Sequence, residues 1–135
     1  MIFVDTGAFL ARYVRQDEHH RRAKRAWSEI ERGHLRCFTS NFVLDETFTL
    51  LGRRTSYAFA AERARALLAS TALTILRSDT QDESKAVDFF AKFADQKVSF
   101  TDCISFSLMR RHGLARAFTF DRHFSAAGFD LVPPV

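Results

Sequence analysis

Ile2-Phe3-Val4-Asp5-Thr6-Gly7 is an apolar run that stops abruptly at a carboxylate, a hydroxyl and a glycine. An uninterrupted apolar stretch of this length reads as a short buried strand, and the Asp-Thr that ends it is where a strand's end meets the start of a helix. Asp5 is therefore expected at the carboxyl end of a strand. In open α/β sheets ligands bind beyond that edge, so the first acidic residue of the chain is also the first candidate for chemistry.

The same alternation runs through the rest of the chain. Ala23, Ala26, Trp27 and Ile30 recur at helical spacing within residues 18–32, with Gly33 as the expected stop. Residues 35–39 read as the next strand. Ser40 is placed to cap a helix over residues 41–53. On it Phe42, Glu46 and Thr49 or Leu50 share a face, so Glu46 is expected to turn inward among apolar neighbours. A helix over 57–69, with Ala60, Ala64 and Leu67 or Leu68 inward, is followed by a strand over 73–76. Thr80 and Glu83 form a capping box for a helix carrying Ala86, Phe89, Phe90 and Phe93. Thr101 is placed to cap a helix running through Phe106 and Met109 to Gly113, which puts Asp102 in its first turn, where the dipole favours negative charge. Residues 117–120 read as a strand ending at Asp121, with Leu131 and Val132 adding an edge. Strands alternating with helices predict an α/β sandwich around a mainly parallel sheet.

A length of 135 residues with 47% hydrophobic content predicts a single domain over residues 1–135 with one continuous core. No Ser/Gly-rich linker and no internal repeat interrupts it. The opening lacks the basic region and long apolar run of a signal peptide, and no stretch approaches the roughly 20 apolar residues of a membrane span, so a cytoplasmic location is expected. Cys37 and Cys103 are far apart without CxxC spacing, which argues against zinc and for reduced thiols; Cys103 reads as a small buried hydrophobe. The net charge of +4 favours encounter with polyanions. Its clusters, Arg21-Arg22 with Lys24-Arg25, Arg53-Arg54 and Arg110-Arg111, each read singly as solvated helix faces or as charge complementing a helix C-terminus. Fifteen phenylalanines suit a core better than a base-stacking surface.

Chemistry is concentrated in the acids. Asp5 and Asp121 end strands, Asp102 begins a helix and Glu46 lies on an inward face, so all can converge at one edge of the sheet. Carboxylates drawn together out of water repel, and either some take up protons or a cation offsets them. Mg²⁺ or Mn²⁺, hard cations that take oxygen ligands, suit such a site. Taken one at a time, each acid has a local alternative as cap, dipole partner, turn or surface residue.

The quartet and its surroundings resemble the PIN-domain ribonucleases, the family that includes the VapC toxins of bacterial toxin-antitoxin pairs. The resemblance rests on Val4-Asp5-Thr6, on Thr39-Ser40 leading to Glu46, on Ser99-Phe100-Thr101-Asp102, and on Phe118-Thr119-Phe120-Asp121-Arg122-His123-Phe124, in that order and spacing. It implies a PIN-like three-layer sandwich in which Asp5, Glu46, Asp102 and Asp121 are the catalytic, metal-binding acids, with Thr6 and Thr119 as hydroxyls that orient carboxylates or water. It further implies a Mg²⁺- or Mn²⁺-dependent endoribonuclease in which activated water attacks in line, leaving a 3′-hydroxyl and a 5′-phosphate. RNA is then the substrate, a homodimer the expected assembly, and a cognate antitoxin the expected partner, wrapping the helices near Glu46 and inserting a basic side chain among the acids. Arg53, Arg54, Arg110, Arg111 and Arg122 are candidates to bind phosphates beside the cleft. His19, His20 and His123 pair with no nucleophile and read as solvated or structural, with His123 a secondary candidate for the phosphate backbone.

Two other readings compete. A non-catalytic PIN-like module binding RNA or protein is disfavoured by the intact acids. A phosphatase expects an acid two residues beyond the first Asp, where Gly7 stands, and a receiver domain expects a mid-chain Asp and a late Lys that the chain lacks. A toxin and a solitary RNA-processing nuclease share the same chemistry and are not separated by the sequence.

Overall fold

The computed structural model describes residues 1–134. Its strands β1 (Ile2–Val4), β2 (Cys37–Ser40), β3 (Leu73–Leu76), β4 (Arg116–Phe118) and β5 (Asp130–Val132) form one sheet in the order β3-β2-β1-β4-β5. Every pairing is parallel, with Phe3 opposite Phe38 on one side and Ala117 on the other. The expectation of a mainly parallel sheet is met by a wholly parallel one among the described residues, and the flanking helices complete the sandwich. From β1 the chain winds outward to β2 and β3, then crosses back to β4 and β5 on the other side. The carboxyl ends of β1 and β4 therefore flank a topological switch point, the crevice where such sheets hold ligands.

Among the described residues seven helices connect and cover the strands: α1 (Thr6–Tyr13), α2 (His20–Arg32), α3 (Asn41–Arg54), α4 (Tyr57–Ala69), α5 (Thr80–Lys92), α6 (Phe100–Arg111) and the single turn α7 (His123–Ala126). α2 buries Ala23, Ala26, Trp27 and Ile30 as its spacing requires. Trp27 leans on the rings of Phe9 and Phe118 and donates its indole N–H to the Ala8 carbonyl at 3.1 Å, so one side chain joins α1, α2 and β4. α6 is buried from Asp102 to Met109, with Phe106 packed against Phe89, Phe93, Phe124 and Phe129. Phe93 is buried but Phe90 remains 48% exposed, so the phenylalanines of α5 do not all enter the core. α4 is the least committed helix: Ala60 is buried, Ala64 and Leu67 only partly, and Leu68 is exposed.

α2 stops at Gly33 as expected, and His34 after it takes the left-handed conformation, with φ 52°. Two caps differ from the sequence reading. α6 is capped by Ser99, whose hydroxyl accepts from the Asp102 amide at 3.1 Å, not by Thr101; the earlier cap brings Phe100 and Thr101 into the first turn. The capping box of α5 is Asp79 with Asp82 rather than Thr80 with Glu83. Both pairs have the same spacing, and the Asp pair prevails because Asp82 has a second partner: its oxygens accept from Arg111 Nε and Nη2 on α6, each at 2.8 Å.

Burial alone pushes the Asp82 carboxyl up, but the hydrogen bonds from Arg111 and from the Asp79 amide, with the Arg111 charge, hold it below the usual carboxylate range. A carboxylate so lowered stabilises the fold above its unfolded pKa, and the contribution is lost as pH falls through the folded value. Asp82→Ala removes both roles, whereas Asp82→Asn keeps an oxygen for the capping box, worth about 1 kcal/mol. Denaturant unfolding at neutral pH is expected to rank wild type above Asp82→Asn above Asp82→Ala, and the gap between wild type and Asp82→Asn should shrink in acid.

Candidate active site

Asp5 follows β1 directly in extended conformation and its backbone amide donates to the Phe118 carbonyl of β4 at 3.0 Å. Its side chain makes no capping bond to α1. Instead a carboxylate oxygen accepts the Thr119 hydroxyl at 2.8 Å, and the same hydroxyl oxygen accepts the Asp121 amide at 3.0 Å. Asp121 in turn accepts the His123 amide at 2.8 Å, closing the turn into α7. One threonine thus ties together the chain ends beyond β1 and β4.

Asp102 comes to this point from the first turn of α6, where the cap by Ser99 fixes its backbone. Glu46 comes from α3, though not as the sequence suggested. The helix buries Val43, Leu44, Thr47 and Leu51, leaving Glu46 on the shoulder of that face, partly exposed. Asp5, Glu46, Asp102 and Asp121 all line one open cleft of about 560 Å³ at the switch point, together with Lys97, Arg122 and His123. Thr6 lines it too, but its hydroxyl points to the Val43 carbonyl at 3.5 Å; it influences Asp5 through its backbone amide. The hydroxyl expected to orient a carboxylate is therefore Thr119 rather than Thr6.

The arginine candidates separate. Arg110 donates to the Ala127 carbonyl and lies over Phe89 and Phe129, and Arg111 holds Asp82. At 1.5 Å per residue both sit about 12 Å or more along α6 from Asp102, so the expectation that they flank the cleft is not met. Arg54 pairs with Asp17 at 3.0 Å, and Arg53 is exposed roughly 10 Å further along α3 than Glu46. Only Arg122 of this set lines the cleft. Lys97, which the sequence did not single out, joins it from a left-handed position with φ 54° after the 3-10 turn Ala94–Gln96. His123, read as solvated or structural and as a secondary phosphate-backbone candidate, has its Nδ1 3.0 Å from Asp121 Oδ1, and Asp102, Asp121 and His123 present ligand atoms within 4.8 Å of one another. The only sequence signal for it was the Asp-x-His spacing.

Burial and like charge set the electrostatics of the cleft. Burial pushes the Asp5 carboxyl up to about 7, against the pull of the Thr119 and Thr6 hydrogen bonds, with the Asp121 and Glu46 charges adding to the rise. Asp102 is pushed up to about 9 by burial, by the charge of Asp5, by a hydrogen bond with Asp121 and by the charges of Asp121 and Glu46. At neutral pH these acids do not all ionise unaided. A divalent cation offsets the repulsion, and the donor set, carboxylate oxygens with one imidazole nitrogen at the edge, fits such an ion.

An acid whose pKa is higher in the folded than in the unfolded state favours folding at low pH and loses that contribution as pH rises. From the ordinary 3.8 upward to about 9, the metal-free protein is expected to lose stability, and Asp102→Asn to flatten the upper part of that loss. Urea unfolding midpoints in EDTA between about pH 5 and pH 9 test the sign; a midpoint that climbs with pH contradicts it.

Comparison with known proteins agrees with this geometry. The PIN domain family model matches residues 2–130. The 23S rRNA-specific endonuclease VapC20 of Mycobacterium tuberculosis is 39% identical over 134 residues, 99% of either chain. A VapC ribonuclease of Archaeoglobus fulgidus is 33% identical over 104 residues, 76% of this chain and 65% of the relative. A crystal structure of M. tuberculosis VapC20, described as a Sarcin-Ricin loop cleaving toxin, superposes with a TM-score of 0.87 at 37% identity, covering 96% of both chains. DNA-bound VapBC from Salmonella typhimurium superposes with a TM-score of 0.66 at 17% identity over 96% of this chain and 95% of that one, which speaks to the fold alone. With its acids gathered at the switch point of a parallel sheet and its full length matched, the chain belongs to the PIN-domain family and, within it, to the VapC-type ribonucleases.

Proposed function

We propose that this chain is a Mg²⁺- or Mn²⁺-dependent endoribonuclease, the toxin of a type II toxin-antitoxin pair, with ribosomal RNA as its substrate class. The observation that carries the reading is the single cleft that gathers Asp5, Glu46, Asp102 and Asp121, where burial and mutual repulsion push the carboxyls of Asp5 and Asp102 up. Such a cleft is costly without a cation, and its chain is 39% identical to an rRNA-specific endonuclease. A divalent ion bound there lowers the pKa of water and polarises a phosphoryl oxygen.

The protein's own groups supply the rest. Asp5, locked by Thr119 and by the β1–β4 backbone bond, is the rigid member of the set. Asp102 and Asp121 would hold the cation with it, Asp102 standing in the first turn of a helix whose dipole favours its charged form. Glu46, on the open shoulder, contacts the solvent side of the same site. Lys97 and Arg122 face the cleft as cations and hold the phosphates on either side of the scissile bond. Water adds in line to phosphorus and the P–O3′ bond breaks, leaving a 3′-hydroxyl and a 5′-phosphate. An ionised carboxylate at the rim accepts the proton that water gives up, and the departing oxygen takes one from solvent.

A cognate antitoxin and a second copy of the chain are the protein partners of this reading. The exposed Tyr57 and Leu68 of α4, with Val87 and Phe90 of α5, offer apolar side chains for such contacts.

Purified protein incubated with ribosomal RNA is expected to cleave it with Mg²⁺ or Mn²⁺ and to stop on addition of EDTA. Asp5→Asn and Asp102→Asn should each lower cleavage by roughly 100-fold or more, because even groups that only orient metal ligands are worth 10–100-fold. Thr119→Val, which removes such an orienting group, should cost about tenfold or more. Cleavage that persists in EDTA, or in Asp102→Asn, contradicts the proposal.

A further inference from the structure

Phe120 stands one residue before Asp121 and is only half-buried. Its edge meets Phe118, with ring centroids 6.1 Å apart and planes at 71°, and it borders Gly7, where an added Cβ would lie 3.9 Å from the ring. Phe120 and Arg122 line the acidic cleft and also a small adjoining cavity of about 120 Å³ that His19 and Arg22 complete. Within that cavity the imidazole of His19 lies flat on Phe120, centroids 4.3 Å apart and planes within 3°, and the Arg22 guanidinium sits 5.5 Å from the Phe120 centroid.

His19 precedes α2 at the N-cap position, its backbone amide donating to Asp17 Oδ1 at 2.9 Å, but its imidazole makes no side-chain cap and its ion-pair neighbour, Glu18 at 3.3 Å, is itself 84% exposed. Arg22 donates to the Pro134 carbonyl at 3.1 Å through one guanidinium nitrogen. A third of the His19 side chain remains open to solvent. A flat aromatic surface, backed by a second ring and flanked by arginines, is what unstacked bases of single-stranded nucleic acid settle on.

We propose that the outer face of His19, held in place by Phe120, is a stacking subsite for the unpaired nucleobase that adjoins the scissile phosphodiester, with Arg22 and Arg122 taking the phosphates beside it. His19 touches the base and Phe120 is a positioning residue. The inference rests on the ribonuclease reading and adds to it where the substrate's bases lie.

The test uses a short RNA spanning the cleavage site that the wild-type protein makes in ribosomal RNA, and copies carrying an abasic residue on either side of the scissile bond. His19→Leu is expected to lower kcat/KM on the intact RNA by roughly 5- to 150-fold, and His19→Phe to restore most of it. Phe120→Leu should act in the same direction, with thermal melting confirming that each variant is folded. One of the two abasic substrates should lose a similar factor with the wild-type protein and lose little more with His19→Leu, since base and platform form one contact. Wild-type rates with His19→Leu, or full losses from variant and abasic site that multiply, overturn the subsite while leaving the nuclease intact. A wild-type protein that cleaves no ribosomal RNA overturns the ribonuclease reading, and the subsite with it.

Discussion

Everything at the cleft depends on one hydroxyl. Thr119 donates to Asp5 and accepts from the Asp121 amide, and in doing so it fixes two acids that arrive from strands separated by more than a hundred residues of chain. The constraint is exacting because Asp5 is buried: a carboxylate removed from water needs hydrogen bonds to its charged form, and Thr119 with the Thr6 amide supplies them. Those bonds pull the pKa down without cancelling burial, so the Asp5 carboxyl is left at about 7, where a small change in nearby charge shifts its ionisation.

The fold makes this arrangement possible at little cost in order. A wholly parallel sheet in the order β3-β2-β1-β4-β5 puts the ends of β1 and β4 side by side and opens a crevice between the loops that follow them. α6, buried along nearly its whole length, delivers Asp102 from the opposite direction, and the phenylalanines around Phe106 hold that helix in register. Asp5 and Asp102 are thus held against a strand end and a buried helix. Much of the chain's arginine content serves the same rigidity. Arg12 covers Trp27, Arg36 covers Phe38 and Arg110 covers Phe89 and Phe129, so the basic charge is partly structural even though its sum still favours RNA.

The strand ends and the acids were legible in the sequence because both follow from local pattern. An apolar run must stop where the chain leaves the sheet, and Asp5 stands at such a stop; the strand expected over 117–120 ends earlier, at Phe118, so Asp121 lies three residues beyond β4, placed by the Thr119 hydroxyl that its amide reaches. Helix α4 and strand β3 were legible to the residue for the same reason. What local pattern does not carry is competition between equivalent partners. Asp79-x-x-Asp82 and Thr80-x-x-Glu83 have identical spacing, and only Arg111, distant in sequence, favours the first. Glu46 was assigned too deep because its i, i+4 neighbours are apolar, whereas the buried stripe of α3 runs one position over through Val43 and Thr47. Arg110 and Arg111 were candidates for the cleft by sequence proximity to Asp102, and helix length alone carries them away from it. Lys97 was passed over and His123 was ranked only as a secondary candidate, since nothing in the flanking residues shows that a left-handed turn and a one-turn helix bring them to the cleft.

The central claim is that buried, proton-holding carboxylates form one divalent-cation site. Isothermal titration of Mg²⁺ or Mn²⁺ into the metal-free protein at neutral pH, in buffers of different ionisation enthalpy, tests it most directly, because ligands must shed their protons to bind metal. The account predicts release of about one proton or more per ion bound, dominated by Asp102 and therefore much reduced in Asp102→Asn. Binding with no proton release, or no binding at all, would contradict it.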